Sequence, residues 1–424
     1  MSPPTSKADD PAASASRGSF APLRGLLARV RAGRLSLTLP NGRLIEAAGH
    51  EPGPHARLQL RSWRPLLRLV LQGDLGLALA YRNGEWESPD VLALLQFGLA
   101  NEASAGSLLE GSAPLRWMAR LLHFARANTR RGSRYNIAFH YDLGNEFYRH
   151  WLDDSMLYSS ALYEDRPDDT LEAAQARRLE RIVEMLDTPR DARVLEIGCG
   201  WGTLAATLAR RHEAHVTGIT LSAEQLAFAR SRADGWGVGG LVDLQLQDYR
   251  DVRGKFDRIV SIEMVEAVGE AYWPTYFKTL RERLKPGGIV VLQAITIDDA
   301  QFSSYRKGAD FIQRCIFPGG MLPSPRVLQD HAARAGFRIE QSHRFGLGYA
   351  RTLAEWRRRF LAAWPQIEAL GFDAAFKRLW TYYLSYCEAG FRAGRVDVGL
   401  YKLIPEKPLE CRCGRTANAV SCCP

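Results

Sequence analysis

The chain has 424 residues and a formal net charge of +9, so two or three domains and an anionic partner are expected: an anionic cofactor, an acidic membrane surface or nucleic acid. No apolar run approaches the roughly 18 residues of a spanning helix, and no basic-then-apolar signal pattern opens the chain. This argues against an integral helical membrane protein and points to the cytoplasm, with the chain soluble or peripheral.

Residues 1–20, rich in Pro, Ser, Ala and Asp, lack the apolar content to order themselves and read as a disordered tail. Residues 21–125 read as a small α+β module. In it "LSLTLPNGRLIEA" alternates apolar and polar residues around Pro-Asn-Gly, a β-hairpin pattern, and "RLQLRSW" continues the alternation. "WRPLLRLVLQGDLGLALAYRNGEW" then predicts a helix ended by Gly, and "SPDVLALLQFGLA" an amphipathic helix begun at a Ser cap. The basic stretch around Arg126, Arg130, Arg131 and Arg134 marks a boundary and is a candidate contact for anionic headgroups.

From 126 to 404 strands alternate with helices. "ARVLEIGCGWGTLAATLARR" is strand, Gly-rich turn and helix, and "AHVTGITLSAEQLAFARSRA" repeats the order. Three more strands follow in "LVDLQLQDYRDV", "FDRIVSIEMVEAVG" and "GGIVVLQAIT". Such alternation implies a doubly wound parallel sheet. "EWRRRFLAAWP" and "FKRLWTYYLSYCEAGFR" carry aromatics at helical spacing, predicting core and tunnel wall. Residues 405–424 read as a disordered tail in which Cys411, Cys413, Cys422 and Cys423 are reduced thiols. With no CxxC pair and no nearby histidine, no metal site is expected there.

Gly198, Gly200 and Gly202 directly follow the first strand of this sheet, where backbone N–H groups meet a ligand. A tight strand-to-helix turn wants glycine in any case, so context must choose the ligand. A dinucleotide site calls for GxGxxG and a carboxylate closing the second strand. Here the third glycine comes one place early and that strand ends with Thr220, Leu221 and Ser222. Glu196 within the first strand and Asp248 closing the third instead put acidic groups near the turn, which suits a sulfonium and an amino group better than a pyrophosphate. S-adenosylmethionine fits.

"HYDLGNEFYRHWLDDSMLYSSALYED", "VLEIGCGWGTLA", "GITLSAEQ", "LQDYRD", "SIEMVEAVG" and "IFPGGMLPS", in this order, resemble the cyclopropane fatty acid synthase family of S-adenosylmethionine-dependent methyltransferases. The resemblance implies a class I methyltransferase fold with an N-terminal lipid-binding module. It also implies an unsaturated acyl chain of a membrane phospholipid as substrate and peripheral binding to the inner face of the membrane. No nucleic acid is expected as partner, and a homodimer is compatible with it. Tyr158, Ser159, Gly198, Gly200, Thr220, Leu221, Gln225 and Gln247 are then the expected cofactor contacts, beside Glu196, Gly202, Ser222 and Asp248.

Many cyclopropane-forming members have cysteine at Ser160 and histidine at Gln293. With a glutamate and a tyrosine, matched here by Glu266 and Tyr349, these hold a bicarbonate that serves as base. The substituted pair can still hydrogen-bond an anion. Methyl addition to an alkene leaves a carbocation that must lose a proton to a fixed base. Loss from the new methyl closes a cyclopropane; loss from the neighbouring chain carbon leaves a methyl-branched alkene. The ring is the primary expectation and the branched product its rival. A non-catalytic lipid-binding derivative, or a methyltransferase of a soluble or nucleic-acid substrate, stands behind both.

Overall fold

The computed structural model describes residues 25, 27–105, 128–129, 132–133, 143–164 and 166–406. The predicted tail 1–20, the arginines Arg126, Arg130, Arg131 and Arg134, and the four C-terminal cysteines lie outside the described residues.

The hairpin forms as its alternation requires. Strands β1 (Ala32–Thr38) and β2 (Leu44–Ala48) pair antiparallel, and the Gly42 amide donates to the Leu39 carbonyl at 2.9 Å to close the turn. β3 (Glu51–Leu60) lies on the other side of β1 and parallel to it, and β4 (Trp86–Glu87) completes the order β2-β1-β3-β4. Leu35, Leu37, Leu39, Ala56 and Leu60 turn to the buried side.

The helix Val91–Ala100 covers that side; the helix Arg64–Arg82 starts with a proline in its first turn and stops before Gly84. Its interior is interrupted at Gly73, whose φ of 63° and ψ of −144° leave the helical region. The helix Val91–Ala100 is capped by Asp90, not by the serine expected: Asp90 accepts from the Ala93 amide at 3.0 Å. Pro89 separates Ser88 from the helix, and Asp90 has the extended backbone a cap needs, so Ser88 only braces Asp90 by hydrogen bonds to its backbone.

The second sheet has seven strands in the order β10-β11-β9-β8-β5-β6-β7. They are β5 (Arg193–Ile197), β6 (His215–Thr220), β7 (Val242–Leu246), β8 (Phe256–Ile262), β9 (Leu284–Ile297), β10 (Phe337–Arg344) and β11 (Val396–Pro405). The first five are parallel, as the alternation of strands and helices predicts; β11 runs antiparallel between β9 and β10. This is the doubly wound α/β sheet that the sequence predicts, with one antiparallel strand inserted. The order reverses at β5, whose neighbours β6 and β8 send their crossovers to opposite sides, and a crevice opens at its carboxyl end.

The helices Gly346–Ala362 and Ala374–Arg392 lie across this end, and the aromatic-rich core gathers there. Tyr81 of the N-terminal module stands 5.9 Å from Tyr382, ring centre to ring centre. The two sheets are thereby tied through one buried cluster that also holds Trp151, Trp356 and Trp380. The aromatic segments are core and cavity wall, as their helical spacing predicts.

Candidate active site

A cavity of about 1510 Å³ opens at the carboxyl end of β5 and runs beneath both aromatic helices to the N-terminal module. One end of it is built by the turn after β5. At Gly198 φ is +83° and an added Cβ would stand 2.5 Å from Met264 Sδ; at Gly202 φ is +82° and a Cβ would meet Ala229 at 2.8 Å. No other residue type fits either position without displacing its neighbour. Gly200 faces open space at the same turn.

Glu196, in β5, is buried at this end and its Oε2 has no partner among the described residues. Burial pushes its pKa up to about 8 against the pull of the Ala205 amide and Arg178. A buried, unpaired carboxyl oxygen beside an open glycine turn is a fit for the amino or ribose hydroxyl donors of S-adenosylmethionine. Tyr158, Ser159, Thr220, Leu221, Gln225 and Gln247 line the same cavity.

Three residues expected at the cofactor instead hold the frame. Gly202 begins the helix Thr203–His212. Ser222 caps the helix Ala223–Gly235 by accepting from the Gln225 amide at 3.2 Å. Asp248 is gripped by Arg250 at 2.6 Å and caps the turn Tyr249–Asp251. None of the three lines the cavity.

Farther in, Ser160, Gln293 and Tyr349 are brought together, but the glutamate among them is Glu263. Glu263 Oε1 accepts from the Ser160 amide at 3.0 Å and from Gln293 Nε2 at 2.6 Å. Its Oε2 accepts from the Tyr349 hydroxyl at 2.8 Å. Glu266, expected in that role, turns elsewhere: one oxygen accepts from the Ile295 amide, the other has no partner among the described residues, and burial raises its pKa to about 8. The reason lies in the backbone. Glu263 takes a left-handed φ of 52° at the end of β8, and Glu266 falls in the short helix Val265–Val268, so two carboxyls three residues apart point at different partners.

Both glutamates and Tyr349 face the cavity, whereas Ser160 and Gln293 stand behind Glu263. Arg178, which also lines the cavity, is fully buried, donating to Gln293 Oε1 at 3.3 Å and to Gln175 Oε1 at 3.1 Å. The Ser160 hydroxyl donates to the Ala161 carbonyl at 3.2 Å, so only its amide serves the site. Sequence reasoning missed Glu263 and Arg178. Arg178 left a legible sign: it occupies the buried stripe of the helix Leu171–Leu186 with Leu171, Ala174, Gln175 and Ile182.

Comparison with known proteins agrees with this geometry. The family described as mycolic acid cyclopropane synthetase matches residues 128–400. The chain belongs to that family. This methyltransferase is 39% identical over 359 residues to the tuberculostearic acid methyltransferase UfaA1 of Mycobacterium tuberculosis, covering 80% of this chain and 81% of that protein. It is 38% identical over 380 residues to the cyclopropane-fatty-acyl-phospholipid synthase of Escherichia coli K12, covering 87% of this chain and 92% of that one. The solved cyclopropane synthase MmaA2 of Mycobacterium tuberculosis superposes with a TM-score of 0.60 at 29% identity, covering 64% of this chain and 97% of that one. A second relative, the mycolic acid cyclopropane synthase CmaA1, was solved with S-adenosylhomocysteine and CTAB at the same identity and a TM-score of 0.59, covering 64% of this chain and 97% of that one. The methyltransferase is a C-methyltransferase that uses S-adenosylmethionine.

Proposed function

We propose that this enzyme moves a methyl carbon from S-adenosylmethionine to the double bond of an unsaturated acyl chain in a membrane phospholipid, closing a cyclopropane. One observation carries the reading: a single cavity joins the glycine turn and Glu196 to an apolar tunnel walled by Leu75, Leu94, Phe97, Tyr382 and Tyr386. When bound, the cofactor supplies an electrophilic methyl group. Glu196, Tyr158, Ser159 and the backbone of Gly198 and Gly200 hold and orient it, with Thr220, Leu221, Gln225 and Gln247 completing its pocket. The tunnel excludes water from the charge that develops on the acyl chain, and the ring faces of Tyr382, Tyr383 and Tyr386 favour that positive charge. A base held beside Tyr349 removes the proton.

The E. coli relative's name, a cyclopropane-fatty-acyl-phospholipid synthase, supports the phospholipid substrate and the ring. A methyl-branched alkene from the same substrate is the second reading, favoured by Ser160 and Gln293 and by the relative named a tuberculostearic acid methyltransferase.

The same reading places the protein at the cytoplasmic face of a membrane, as a monomer or homodimer, with a lipid-binding module before about residue 126. Among the described residues no helix is long and apolar enough to cross a bilayer. The helix Arg64–Arg82 nevertheless exposes Leu67 by 60%, Val70 by 55% and Leu71 by 40%, and Leu71 also lines the cavity. This apolar face is the mouth offered to lipid, with arginines such as Arg126, Arg130, Arg131 and Arg134 on the headgroups. The test is methyl-labelled S-adenosylmethionine with unsaturated phospholipid vesicles, followed by mass spectrometry of the extracted lipid. Ring-bearing acyl chains support the first reading and methyl-branched chains the second. Label that stays out of lipid refutes both.

A further inference from the structure

Glu263 is a costly residue in its place. Its φ of 52° lies in the left-handed region, where a side chain is strained, and its half-buried carboxylate faces the cavity. Strain kept at an ionisable group that faces a cavity commonly marks function. Three donors converge on it: the Ser160 amide, Gln293 Nε2 and the Tyr349 hydroxyl. The Gln293 amide is itself held by the Arg178 guanidinium, whose positive charge lies in the same buried layer. Burial raises the Glu263 pKa, while these donors and Arg178 act against that rise and favour the ionised form.

These are the positions in which the family resemblance expects a bicarbonate. Here the Ser160 amide, Gln293 Nε2 and the Tyr349 hydroxyl are already engaged by Glu263, and an added anion would stand against the carboxyl groups of both Glu263 and Glu266. The built-in carboxylate fills the anion's place.

We propose that Glu263 is the base of this enzyme, supplied by the chain itself, and that no bicarbonate takes part; this rests on the acyl-chain methyl transfer proposed above. The alkene π pair forms the new bond to the methyl carbon as the C–S pair stays on sulfur, leaving positive charge on the neighbouring chain carbon. Glu263 Oε2, whose hydrogen-bond partner among the described residues is the Tyr349 hydroxyl, takes the proton. The released C–H pair becomes the third side of the ring or a new double bond. Glu263 is left protonated and returns its proton to water once the product has left.

The full chain is assayed on unsaturated phospholipid vesicles in carbonate-free buffer with and without added bicarbonate. Binding of isotope-labelled bicarbonate to the cofactor-free protein is read in parallel by NMR. The wild type should show no bound bicarbonate, and its rate should change by less than about twofold on addition. Glu263→Gln should lose roughly 100-fold or more in rate while binding S-adenosylhomocysteine within about threefold of the wild type. Glu263→Gly, which relieves the backbone strain and empties the site, should bind bicarbonate and regain rate when it is added. A wild type that binds bicarbonate at this site and depends on it, or a Glu263→Gln variant that turns over like the wild type, overturns the proposal. Lipid left unlabelled by the wild type under every condition would refute the proposed function instead, and the binding arm would still judge Glu263.

Discussion

The Tyr349 hydroxyl donates to Glu263 Oε2 at 2.8 Å, joining the first turn of the helix Gly346–Ala362 to the residue that follows β8. The bond stabilises the charged carboxylate, so Tyr349→Phe should move the Glu263 pKa up. A base that works ionised then needs a higher pH, and the acid limb of the rate profile should shift alkaline. Loss of one hydrogen bond to a charged group predicts a rate decrease on the order of tenfold at neutral pH. Superimposable pH profiles for the variant and wild type would disprove the coupling.

Glu196 and Glu266 make the stability of the ligand-free protein pH-dependent in an unusual direction. Each is held at about 8, above the ordinary carboxylate value of 4.5, chiefly by burial. Between those values the folded chain keeps protons that the unfolded chain has released. Stability is therefore greatest at the acid end of the window and falls as pH rises through it, by up to about 1.4 kcal/mol per pH unit for each group. The Tm should drop between pH 5 and 8, and Glu196→Gln should flatten part of that slope. Glu196→Ala should also weaken S-adenosylmethionine binding severely in calorimetry while the fold persists. An unchanged affinity would remove Glu196 from the cofactor site.

Membrane contact should respond to both its apolar and its charged parts. Leu67→Asp and Val70→Asp place charge on the exposed face of the helix Arg64–Arg82 and should reduce vesicle binding without lowering the Tm. Binding should also fall with added salt and rise with anionic lipid, each basic side chain near the surface contributing roughly 1 kcal/mol. Vesicle affinity indifferent to salt, lipid charge and both substitutions would place the contact elsewhere.

Ser160 and Gln293 set how Glu263 is presented, since both donate to its Oε1. Ser160→Cys combined with Gln293→His alters the volume and the donor behind the carboxylate and should change the ratio of cyclopropane to methyl-branched product, towards rings if the wild type is branched. Gas chromatography of the acyl chains measures it. The same ratio in wild type and double variant would show that these two side chains do not direct deprotonation.

Local pattern was enough for much of this protein. The hairpin at Pro40–Gly42, the five parallel strands and the glycine turn after β5 follow from alternation, helix periodicity and turn chemistry, preferences expressed over a few neighbouring residues. The choice of S-adenosylmethionine over a dinucleotide followed from where Glu196 stands and where a carboxylate is missing. Tertiary structure decided what depends on chain direction and on partners far apart. β3 pairs parallel with β1, and β11 enters antiparallel between β9 and β10. No local pattern distinguishes either pairing from its alternative. Two glutamates in "SIEMVE" offered the same chemistry, and resemblance chose Glu266. The left-handed turn at Glu263 chose otherwise: it aims that carboxylate at Ser160, 103 positions earlier, and at Tyr349, 86 positions later.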